Sequence, residues 1–121
     1  MNYKKKLQEI EKSNGLRGYV ANKWLNNIYD YNGTSNEQIK AWLADFQQGG
    51  CASGLVNNLV YYSDTEVFFD KYYSEIMELR QDYKDQTGKT LDADDFNLKS
   101  WFAWWAFEYT IDRIAEELGI E

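Results

Sequence analysis

The chain has 121 residues, about the size of one domain, and 44 % apolar with 17 % aromatic side chains is ample material for a core, which excludes wholesale disorder. It carries a net charge of −7, no histidine, no proline and one cysteine, which excludes an internal disulfide and histidine-based nucleophile pairs and removes the commonest transition-metal ligand. No stretch approaches the roughly 18 uninterrupted apolar residues of a membrane span.

Charge is unevenly spread. Residues 1–23 hold six basic groups (Lys4, Lys5, Lys6, Lys12, Arg17, Lys23) against Glu9 and Glu11, a net +4. The remaining 98 residues carry −11, from 7 basic and 18 acidic groups. Phosphates would be repelled by that acidic body, whereas a basic protein surface would be steered toward it. Met1–Lys6 has charge but no apolar run behind it, so no signal peptide is expected and a reducing cytoplasm is the expected compartment.

In chain order the pattern predicts six helices and no secure strand, in an all-α, compact single-domain bundle over residues 1–121. The first helix, Asn2–Ser13, places Tyr3, Leu7 and Ile10 on one side and ends at Asn14-Gly15. The second, from about Leu16 to Tyr31, repeats Leu16, Val20, Trp24, Leu25, Ile28 and Tyr31 at helical spacing and stops at Asn32-Gly33. Ser35 with Gln38 reads as a capping box for a third helix that buries Ile39, Trp42, Leu43 and Phe46. After the glycine-rich "QQGGCASG", a short fourth helix is expected over Leu55–Tyr61, although "LVNNLVYY" also suits a strand.

Ser63 and Glu66 form a second capping box, which predicts one long helix to about Gln86 with a core stripe of Phe69, Tyr72, Ile76, Leu79 and Tyr83. Gly88 suits its left-handed cap. The acids of "KTLDADDF" suit the start of the last helix, Asn97 to Leu118, which Gly119 closes. That helix shows two apolar faces. Leu98, Trp101, Phe102, Trp105 and Tyr109 lie on one, and Trp104, Phe107, Ile111, Ile114, Ala115 and Leu118 on the other. A helix that must cover neighbours on both sides belongs at the centre of the bundle.

Local motifs offer little chemistry. Cys51 lacks any histidine to activate it and reads as a small loop residue. "TGKT" at 87–90 resembles the end of a phosphate loop, but Tyr83 stands where the first glycine is needed. Asp92 and Asp94 echo a calcium loop, but Ala103 sits where its bidentate glutamate belongs. Twenty acids leave carboxylate pairs available for hydrolysis, yet none lies in an apolar context, so neither catalysis nor a cofactor or metal is expected.

Two features rise above this background. On the long helix Glu75, Glu78, Asp82 and Asp85 step by three, four and three, one acidic row spaced by about 5 Å per step. The second is the aromatic stretch itself: if Trp104 and Phe107 are not wholly enclosed, they form an interface for a partner or a second copy.

Three acidic groups, the row Glu75, Glu78, Asp82, Asp85, the cluster Asp92, Asp94, Asp95 and the tail Glu116, Glu117, Glu121, give the chain a general character. It resembles the small acidic proteins of phages and mobile elements, of the anti-CRISPR and antirestriction kind. That resemblance implies stoichiometric inhibition of a host nucleic-acid-handling protein by an acidic surface that mimics DNA and blocks a basic groove. The basic first helix departs from a pure mimic. The alternative expectation is a homo-oligomeric or accessory protein using the Trp104/Phe107 face, and a third has Lys4–Lys6 and Lys12 docking to nucleic acid.

Overall fold

The computed structural model describes residues 2–28, 36–47, 62–91 and 99–120. Among them are six helices and no strand: α1 (Tyr3–Glu11), α2 (Leu16–Ile28), α3 (Asn36–Gln47), α4 (Tyr62–Lys71), α5 (Tyr73–Thr87) and α6 (Lys99–Leu118). The domain is all-α. The short helix expected over Leu55–Tyr61, Cys51, the Asn32-Gly33 stop and Ser35 of the first capping box lie outside the described residues.

α1 and α2 form a tight hairpin. Asn2 caps α1 by accepting from the Lys5 amide at 3.0 Å, and the Asn36 side chain at the start of α3 accepts from the Tyr3 amide at 2.9 Å. Two glycines make the turn possible. Gly15 has φ +87°, and a Cβ on Gly18 would stand 1.9 Å from the Ser13 carbonyl oxygen. The hairpin buries Tyr3, Leu7 and Ile10 against Leu16, Val20, Ala21 and Trp24. α3 closes this end, where Trp42 stacks on Trp24 with ring centroids 5.0 Å apart.

The long helix expected from Ser63 to Gln86 is two helices joined at Tyr72. Its φ of −106° and ψ of +21° leave the helical region, while the Tyr72 amide still bonds to the Phe68 carbonyl and the Ile76 amide to that of Tyr72. The chain bends without losing those bonds. Tyr72 thereby stays in the core, among Tyr19 and Phe68 with centroids 5.6 and 5.1 Å away. α4 also starts at Tyr62, so Ser63 lies within the helix and not at its N-cap. Gly88, at φ +72°, ends α5 as its position suggests.

α6 is the central helix and packs on α2, α4 and α5. Phe102, Phe107, Ile111, Ile114 and Leu118 are buried along it, and Ala103 and Ala106 let neighbours approach closely. The buried Thr110 hydroxyl donates to the Ala106 carbonyl at 2.7 Å, so it leaves no orphaned donor. Gly119, at φ +83°, turns the chain back: its amide bonds to Glu116 and that of Ile120 to Ala115, the paired bonds of a Schellman cap.

The aromatic stretch is sorted by this placement. Phe107 is 2 % exposed and belongs to the core, so it offers nothing to a surface interface. Trp104 and Trp105 are half-buried on its flanks. Trp105 stacks on Tyr109 at 5.2 Å and meets Tyr83 of α5 edge-on at 5.8 Å.

Candidate functional site

Between the start of α2, the middle of α5 and the C-terminal half of α6 lies a groove of about 670 Å³. Leu16, Leu79 and Ile114 line it with Thr110, and its charged rim holds Glu75, Glu78, Asp82, Glu116 and Glu117 against Arg17 and Arg113. Five carboxylates face two guanidinium groups, a formal excess of three negative charges.

The acidic row read from the sequence does not act as one uniform surface. Glu75 turns inward: its carboxylate accepts from the Leu16 amide at 2.8 Å, at the open N-terminus of α2. Gly15 accepts the first helical bond of α2, from Tyr19, but has no side chain with which to cap it. A carboxylate from another helix therefore performs the capping, where the helix dipole favours negative charge.

Asp82 is also engaged. It accepts from the Arg113 guanidinium, from the Tyr109 hydroxyl at 3.3 Å and from the Gln86 amide at 3.3 Å. The hydrogen bonds of Arg113 to Asp82 and, second, to the Tyr109 hydroxyl hold the guanidinium above the ordinary arginine value, and the Tyr109 ring lies 5.7 Å from it. Among the described residues Asp85 accepts only from Gln81 on its own helix, at 2.9 Å, and it is exposed. Glu78 is exposed and makes no ion pair or hydrogen bond among the described residues. Asp92, Asp94 and Asp95 lie outside the described residues, as does Glu121.

Sequence reasoning missed the two arginines. Arg17 pairs with Glu117 and Arg113 with Asp82, so α2 is tied to α6 and α6 to α5 across the groove. Separations of 100 and 31 residues left no local signal for either pair. Only the spacing of Tyr109 and Arg113, one helical turn, hinted that they share a face. No group of three or more metal-ligating side chains gathers among the described residues. The groove thus gathers five carboxylates, three of them held by partners within the molecule, around apolar side chains.

One further titratable group is perturbed. Burial raises the Glu108 carboxyl above its ordinary value, partly offset by a hydrogen bond from the Trp104 side chain, and Asp112 adds repulsion.

Fold and groove together define a small all-α domain with an acidic, partly clasped cleft. The chain belongs to the DUF7222 family, described as a domain of unknown function, whose model matches residues 3–120. No curated protein and no solved structure matches it significantly.

Proposed function

We propose that this chain is a non-catalytic binding protein that docks onto a basic surface of a larger, nucleic-acid-handling protein and inhibits or modulates it by covering that surface. The observation that carries the reading is the groove: five carboxylates around apolar side chains, with both lining arginines already paired inside the molecule. Net charge of −7 steers such a partner in, and the apolar contacts then hold it. A host defence nuclease, blocked at its DNA-binding groove in the anti-CRISPR or antirestriction manner, is the partner that the sequence resemblance implies.

The test is affinity capture at low and high salt with wild type and a Glu78→Gln/Glu116→Gln variant. These two acids lack internal partners among the described residues, so their loss leaves the fold intact, whereas changing Glu75 or Asp82 would confuse binding with stability. A nucleic-acid enzyme retained by wild type, released by salt and lost with the variant supports the reading. Retention unchanged by the variant refutes it.

A second reading, self-association through an apolar face, moves from Trp104 and Phe107 to another place. The exposed large apolar side chains among the described residues are Val67, at 65 %, and Tyr73, at 48 %, on either side of the Tyr72 bend. Light scattering over a concentration series favours this reading if mass rises and Val67→Glu abolishes the rise.

A further inference from the structure

Two of the groove's carboxylates already hold guanidinium groups, and both come from this chain. Arg17, in the first turn of α2, reaches Glu117 of α6, and Arg113 of α6 reaches Asp82 of α5. The second contact is a complete arginine cradle: a carboxylate, a tyrosine hydroxyl 3.2 Å from the arginine nitrogen and the Tyr109 ring with its centroid 5.7 Å away. The first is sparser. Beyond Glu117, Arg17 has one long contact to the Ser13 hydroxyl at 3.5 Å.

Two of the groove's acids make no ion pair or side-chain hydrogen bond among the described residues. Glu78 sits on α5 between Glu75 and Asp82, and Glu116 on α6 between Arg113 and Glu117. Leu79, half-buried at the groove, provides apolar surface for the methylene stem of a long cationic side chain, above a floor of Leu16 and Ile114 that is itself buried.

We propose that the groove takes arginine side chains from a basic protein surface, and that Arg17 and Arg113 are internal stand-ins for them. This rests on the docking reading above and adds a form of regulation: the chain's own arginines keep the cleft partly occupied until a partner's guanidinium displaces them. Both ion pairs are about equally open to water, with side chains 44 % and 39 % exposed for Arg17 and Glu117 and 42 % and 37 % for Arg113 and Asp82. Arg17 therefore yields first because it has fewer contacts: it lacks the hydroxyl and the ring that Tyr109 gives Arg113. Arginine is favoured over lysine because its planar fork matches both carboxylate and ring.

The experiment is fluorescence anisotropy with labelled octa-arginine and octa-lysine peptides as probes. They are titrated with the full chain, as wild type, Arg17→Gln, Arg17→Gln/Glu117→Gln, Glu78→Gln/Glu116→Gln, and Lys89→Gln as a charge control away from the groove. Arg17→Gln is expected to bind octa-arginine about two- to fivefold tighter than wild type, and more tightly than Lys89→Gln does. The double variant Arg17→Gln/Glu117→Gln, with the wild-type net charge, returns to wild-type affinity. If Arg17→Gln binds no tighter than Lys89→Gln, the stand-in idea is overturned while the docking reading stands, provided Glu78→Gln/Glu116→Gln binds more weakly than wild type. If that last variant binds as well as wild type, the groove itself is refuted. Equal affinity for the two peptides overturns the arginine preference.

Discussion

The Glu75 carboxylate accepts a hydrogen bond from the Leu16 backbone amide at 2.8 Å, although 59 residues separate the two in sequence. α2 begins at a glycine with no capping side chain, and α5 supplies the missing acceptor. Replacing Glu75 with alanine is expected to cost about 1 kcal/mol, the usual worth of an N-cap. Glutamine, which keeps an acceptor oxygen but loses the charge facing the helix dipole, should cost less. Urea unfolding midpoints of the two variants give the order directly.

The hairpin turn places a sharper demand on Gly18. A Cβ there would stand 1.9 Å from a backbone oxygen, which cannot rotate away as a side chain would. Gly18→Ala should therefore destabilise by about 3 kcal/mol, even though alanine normally strengthens a helix interior. A chemical denaturation curve as stable as wild type would mean that α1 and α2 can part without cost.

Glu108 gives a pH signature. Its carboxyl is raised from the ordinary 4.5, chiefly by burial, so the folded state binds its proton more tightly than the unfolded chain does. Its contribution to stability is complete below the unfolded value and is lost as pH rises through the folded one. Glu108→Gln is expected to raise Tm at pH 7 and to match wild type at about pH 3, well below the ordinary 4.5, where the carboxyl is neutral in both the folded and the unfolded chain. A constant difference across that range would assign the effect to packing alone.

Phe107 and Trp104 are three positions apart but should respond differently. Phe107→Ala empties a fully enclosed site on the central helix and should cost about 3–5 kcal/mol. Trp104 is half-buried and donates to Glu108, so Trp104→Ala should cost less, and Trp104→Phe, which keeps an aromatic ring but removes the donor, should raise the Glu108 carboxyl further. Calorimetry compares the costs, and a pH titration of Glu108 by carbon-13 NMR reads the second effect.

What the sequence determined by itself was periodic and local. Tyr3, Leu7 and Ile10 recur on one face because a helix has 3.6 residues per turn, and Gly88 and Gly119 end their helices because only glycine adopts a left-handed turn without strain. The two-faced pattern of residues 98–118 marked α6 as the central helix, since a helix apolar on both sides must have neighbours on both. Only the tertiary structure decided what the acidic row does. Glu75, Glu78 and Asp82 look equivalent along one helix face, yet one caps α2, one lines the groove with no partner among the described residues and one holds Arg113. The Tyr72 bend was equally hidden, because the apolar stripe from Phe69 to Ile76 keeps its period through it. Helical period depends on neighbours three and four residues away, whereas a carboxylate's role depends on which distant cation or amide the packing of three helices brings within about 3 Å of it.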